Sequence, residues 1–256
     1  METLISIVIG LAAGALSGMF GVGGSILTTP FMRLFLGVPG MIAVGTPLPV
    51  VIPTAISGTT VHYRNGMVRV KLGVACGAIG SFTAVVGART TSLFSGQVMM
   101  IITAAFIFLV AIRFAYEEGR RDRGEVGDEG KRREEKITWY RIAFTGLAAG
   151  FVSGFLGVGG GAFLVPAFVI ILGISMHEAV ATSLLSISIM AIPGSIEHYL
   201  MGNVDISLMV PIAIAAIIGA QIGARFSAKT QERKLRAGFA IFLVVMAIWL
   251  GMWELF

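Results

Sequence analysis

Apolar residues run together along this chain in long stretches, separated by short polar or Gly/Pro breaks. The stretches cover roughly 4–20, 25–37, 41–61, 72–88, 97–115, 138–156, 161–173, 177–200, 206–224 and 237–253. A helix rises about 1.5 Å per residue, so crossing ~30 Å of hydrocarbon takes about 20 residues. Eight of the ten stretches approach or reach that length. The second and seventh, 25–37 and 161–173, are too short to cross alone, and both follow glycine-rich breaks. The pattern predicts an all-α polytopic membrane protein.

Composition points the same way. Of 256 residues, 56% are apolar and 13% charged, against about 25% charged in an ordinary soluble domain. Residues 117–137 hold 15 of the 33 charged side chains, so the rest cannot cover a water-facing surface. Disorder is excluded, because it needs low hydrophobicity. The lone Cys76 can form neither an internal disulfide nor a cysteine metal site. The start, Met1-Glu2-Thr3-Leu4, lacks the basic n-region of a signal peptide, so the first apolar stretch is expected to be retained.

The chain also repeats itself. Residues 14–89 match residues 150–225 at a constant offset of 136, with 27 identities in 76 positions and no gap. The shared register includes the Ser-Gly-x-x-Gly-Val-Gly-Gly run at 17–24 and 153–160, Pro30 with Pro166, His62-Tyr63 with His198-Tyr199, and Gly87-Ala88-Arg89 with Gly223-Ala224-Arg225. Two homologous halves, 1–116 and 138–256, are expected, joined by a charged linker at 117–137. Each would hold about five helical segments, including a glycine-rich broken or re-entrant helix pair. If each half crosses the membrane an odd number of times, the halves are inverted. The linker side then receives 17 of the 19 Lys and Arg, as expected of a cytoplasmic face. Both termini would lie outside. The net charge of +5 thus reflects cationic loops, and no nucleic-acid partner is called for.

Candidate chemistry centres on Gly21-Val22-Gly23-Gly24 and Gly157-Val158-Gly159-Gly160. Clustered glycines break a helix, and irregular backbone at membrane depth belongs in protein or beside a watery cavity. The short segment after each break begins with free N–H groups and a positive dipole end. Two such ends would make an anion site near the midplane. Glycine spacing such as Gly10-Gly14-Gly18 and Gly146-Gly150-Gly154 also serves helix packing, the competing explanation. Ser17, Ser153, Thr46 and Thr182 offer hydroxyl donors to an anion, or serve as local caps. Arg33, replaced by Val169 in the copy, either attracts an anion or snorkels to headgroups. His62 and His198 read either as proton-coupling groups or as interfacial His-Tyr pairs. Glu178 and Glu197 are weaker proton-handling candidates, and Arg89 and Arg225 read as headgroup anchors. Gln221, inside a span, calls for a partner on another helix. No ATP-binding, HExxH or Ser/His/Asp arrangement is present, which argues against an enzyme, and no cofactor or metal site is called for.

The doubled Ser-Gly-x-x-Gly-Val-Gly-Gly run, each copy followed by Pro, resembles the sulfite-exporter TauE/SafE family of membrane transporters. The likeness covers nearly the whole chain. The second copy departs from the first in reading Gly at 161 where Ser25 stands. The resemblance implies a permease in the cytoplasmic membrane for sulfite, thiosulfate or an organosulfonate. The partners expected are a small anionic substrate and the lipid bilayer, with a homo-oligomer left open. An anion channel and a ligand-binding membrane partner without transport stand as alternatives.

Overall fold

Glycine ends and restarts helices where the sequence breaks are. The computed structural model describes residues 2–122, 138–157 and 159–255, and all regular structure among them is helical. The first half forms α1 (Glu2–Phe20), α2 (Ser25–Phe35), α3 (Gly40–Gly45), α4 (Pro47–Arg64), α5 (Val70–Thr91) and α6 (Gly96–Asp122). The second forms α7 (Trp139–Leu156), α8 (Gly161–Ile170), α9 (Met176–Leu200), α10 (Ile206–Lys229) and α11 (Glu232–Leu255). Of the charged linker, only 117–122 is described, as the end of α6.

Two elements differ from the sequence pattern. The stretch at 41–61 is split at Thr46, whereas its counterpart α9 is one helix of 25 residues. The cause is Pro47, which has no N–H to continue α3 and instead sits at the first position of α4. In the copy Ser183 stands there, and the helix continues. Six helices among the described residues are long and apolar enough to span, with 40–64 counted as one. The expected span at 138–156 is not among them, because α7 opens on Trp139-Tyr140-Arg141.

Each half packs mainly on the other. Helix α1 lies along α10, and α5 lies along α7. A methyl at Gly10, Gly14 or Gly18 would meet the carbonyls of Ile212, Ala216 and Ala220; one at Gly146, Gly150 or Gly154 would meet those of Cys76, Gly80 and Ala84. Every contact in the second set is the first with its members shifted by 136. Residue numbers rise together along both pairs, so α1 runs parallel to α10 and α5 to α7. Glycine is required because the helices touch backbone to backbone. Helices α4 and α9 pack on each other in the middle, and α6 packs on α11.

The outside is greasy and the inside holds the hydroxyls. Phe82, Leu109, Ile218, Ile222 and Phe226 are exposed, while Ser17, Thr46, His62, Ser153, Thr182 and His198 are buried. That inversion of the soluble-protein pattern suits a chain solvated by lipid. Gln221 is a correction to the sequence reading: it lies on the exposed face of α10 with no hydrogen-bond partner among the described residues. Cys76 is buried where α5 meets α7, its Sγ 3.6 Å from the Ile142 carbonyl.

Candidate functional site

Helix α1 ends at Phe20, and the chain then takes left-handed backbone at Gly21, Gly23 and Gly24, with φ of 73°, 81° and 83°. Gly157, Gly159 and Gly160 repeat this, at 64°, 71° and 73°. Side-chain-bearing residues resist that region, which is why glycine occupies all six positions. Gly24 comes back beside Ala13 and Ser17, and Gly160 beside Ala149 and Ser153. Helices α2 and α8 therefore fold back along α1 and α7 as hairpins.

The two glycine runs meet. A methyl at either Gly23 or Gly159 would touch the same pair, Val51 and Ile187, which are themselves equivalent under the 136 offset. Gly161 packs against the Val22 backbone, and Ser25 Oγ lies 3.1 Å from where a Gly159 side chain would begin. Val158 lies outside the described residues. Neither α2 nor α8 has a side-chain cap, so both start with N–H groups and dipole ends that favour negative charge. Ser17, Ser25 and Ser153 are buried, and their hydroxyls have no hydrogen-bond partner. An unpartnered buried hydroxyl costs about 1–3 kcal/mol, a cost that an oxyanion or water accepting from it would remove. The described residues at this centre carry no charged side chain, and the cluster is closed to water. Ser25 escaped the sequence reading except as a departure between copies. Its signal was its position as the first helical residue after the glycine run.

The structure brings Ser17, Gly21, Val22, Gly23, Gly24, Ser153, Gly157, Gly159 and Gly160 to this centre, and sends other candidates elsewhere. Thr46 Oγ1 accepts from the Asp205 N–H at 2.9 Å, and Thr182 Oγ1 from the Arg69 N–H at 3.1 Å. Both fix the loops ahead of α10 and α5. Arg33 lies eight residues beyond Ser25, about 12 Å along α2, and donates to the Val38 carbonyl at 3.1 Å.

His62 and His198 stand at the breaks. Each Nε2 lies 3.0 Å from a carbonyl, that of Gly18 or Gly154. Those carbonyls sit in the last turn of α1 and α7, among the helix-end groups that have no intrahelical donor. A carbonyl only accepts, so Nε2 carries the proton and the histidine replaces the missing helical bond. Tyr63 and Tyr199 point outward, with 63% and 58% of their surface exposed, so the His-Tyr dipeptides divide between inside and outside. Of the acids, Glu178 pairs with Arg69 at 3.0 Å and Glu197 with Arg89 at 2.6 Å. Arg89 is thus an ion-pair partner, with an exposed side chain.

Among known proteins, the family model described as "Sulfite exporter TauE/SafE" matches residues 6–250. The probable membrane transporter protein YdhB of Bacillus subtilis is 29% identical, over 94% of this chain and 96% of its own. YunE of the same organism is 27% identical over 96% of both chains, and MJ0441 of Methanocaldococcus jannaschii is 26% identical over 95% and 93%. No solved structure matches. The doubled glycine hairpin and the family match across nearly the full length agree: this chain belongs to the sulfite exporter TauE/SafE family, and it is a multi-pass membrane transporter, not an enzyme.

Proposed function

We propose that the protein is a secondary transporter for a small sulfur-containing anion, such as sulfite, thiosulfate or an organosulfonate. It works by alternating access in the cytoplasmic membrane, from two inverted halves whose glycine hairpins hold the substrate near the midplane. The linker is cytoplasmic and both termini are outside. The observation that carries this reading is the meeting of two uncapped half-helix starts with the unpartnered hydroxyls of Ser17, Ser25 and Ser153. Their donors and dipoles suit an oxyanion without the cost of a buried cation. The parallel pairs α1–α10 and α5–α7 are what inverted halves require. The closed centre is an occluded state, which opens to one face when the hairpins shift against α4 and α9. A membrane potential of ~100 mV drives a monovalent anion outward with about 2.3 kcal/mol.

Reconstituted protein should carry saturable labelled-sulfite or thiosulfate flux that responds to an imposed potential. Gly23→Leu with Gly159→Leu should abolish it. Ser17→Ala with Ser153→Ala, which removes only unpartnered hydroxyls, should leave the melting temperature equal or higher and weaken the apparent affinity about tenfold. Single-channel currents would replace the transporter with a channel, and binding without flux from folded protein would replace it with a non-transporting partner.

A further inference from the structure

The offset of 136 relates two loops of opposite charge. Arg69 and Lys71, ahead of and within the start of α5, correspond to Asp205 and Ser207 at the start of α10. Both loops are held the same way, through Thr182 and Thr46, so one scaffold carries cations at one end and an acid at the other.

The cationic end has room. A cavity of about 410 Å³ is lined by Arg69, Val70, Lys71, Leu72 and Ile142. Arg69 Nε donates to Glu178 Oε1 at 3.0 Å. Glu178 Oε2 is occupied by the backbone N–H and hydroxyl of Ser175, at 3.1 and 2.9 Å. The terminal Nη1 and Nη2 of Arg69 have no partner among the described residues, and neither does Lys71 Nζ. Glu178 therefore orients the guanidinium while leaving its fork open. A guanidinium fork matches two oxygens of a tetrahedral or pyramidal oxyanion. At the other end, Asp205 accepts from the Ser207 N–H and hydroxyl and from the Leu208 N–H. The Ser207 hydroxyl bond, first among these, holds the Asp205 carboxyl below its ordinary range, so it is ionised at neutral pH.

Hydrogen bonds link the cavity wall to the centre. Thr182 holds the Arg69 backbone, and the next residue, Ser183, donates from Oγ to the Gly21 carbonyl at 2.9 Å. We propose that Arg69 and Lys71 form an oxyanion-loading site on the linker side, with Glu178 as the neighbouring carboxylate whose charge opposes the anion. This rests on the anion-transporter reading and deepens it. Anions gather at the linker face and leave past Asp205, where repulsion favours release.

The test is sulfite binding to lipid-free, detergent-purified protein by titration calorimetry. Arg69→Gln with Lys71→Gln should weaken binding about tenfold, and Glu178→Gln should tighten it by a similar factor. Lys71→Gln alone, which removes no contact, should weaken it without lowering the melting temperature. The opposite signs matter, because Arg69→Gln and Glu178→Gln break the same salt bridge. If both weaken binding, the pair is only structural and the proposal is overturned; unchanged binding in all variants overturns it too. Phosphatidylglycerol added at matched ionic strength separates a lipid headgroup from a free anion: displacement of sulfite by the lipid would assign the cavity to lipid and remove the loading role. Absence of sulfite flux by wild-type liposomes would sink the transport reading alone, since the binding comparison stands without it.

Discussion

His62 and His198 read from sequence either as proton-coupling groups or as interfacial His-Tyr pairs, and the geometry adds a helix-capping role. Each satisfies a carbonyl that the glycine break leaves without a helical donor. Removing the imidazole would leave that carbonyl buried and unpaired, at a cost of about 1–3 kcal/mol. His62→Ala should therefore lower the melting temperature of the purified protein, and His62→Gln, which can still donate, should lower it less. If proton coupling were the main role, the double Gln variant would keep its stability and lose the pH dependence of flux. The capping role predicts that flux at each pH follows the amount of folded protein. Nothing in the dipeptide His-Tyr announces a cap in trans, because the partner carbonyl lies 44 residues away. The same holds for Thr46 and Thr182, whose hydroxyls serve loops 159 and 113 residues distant.

At the scale of helices, the sequence made the hairpins and spans legible, because glycine runs and apolar runs act locally. It did not reveal which helix each small-residue stripe would face. Gly10, Gly14 and Gly18 could have served a partner copy or the neighbouring helix; they serve α10, from the other half. Glycine costs about 1 kcal/mol against alanine in a helix interior, so Gly→Ala should stabilise wherever space allows. Gly238, with the Phe20 ring 3.5 Å away as its nearest neighbour, has such space. Gly238→Ala should leave thermal stability equal or higher. Gly14→Ala should lower it despite the better helix propensity, since the methyl would collide with the Ala216 carbonyl. Thermal unfolding in one detergent, with both variants side by side, separates propensity from packing. Equal effects would mean that α1 and α10 can separate at little cost.

For the whole molecule, the internal repeat and the charge pattern bear on orientation from different directions. The repeat alone is compatible with parallel or inverted halves. Charge favours inversion, since an odd number of crossings gathers 17 of 19 basic side chains at the linker side. The packing adds an independent constraint: α1 runs parallel to α10 and α5 to α7, each pairing a helix of one half with a helix of the other. Asn65 and Met201 make the deciding pair. They are equivalent at offset 136, each directly after a long helix, α4 or α9. In inverted halves they lie on opposite faces of the membrane; in parallel halves they share one. With Cys76→Ala as background, an impermeant maleimide should label Met201→Cys in intact cells and Asn65→Cys only after permeabilisation. Labelling of both from the same side would remove the inverted arrangement and with it the shared midplane site. The opposite pattern, Asn65→Cys from outside, would keep the inversion but place the linker outside, so that anions would load from the external face.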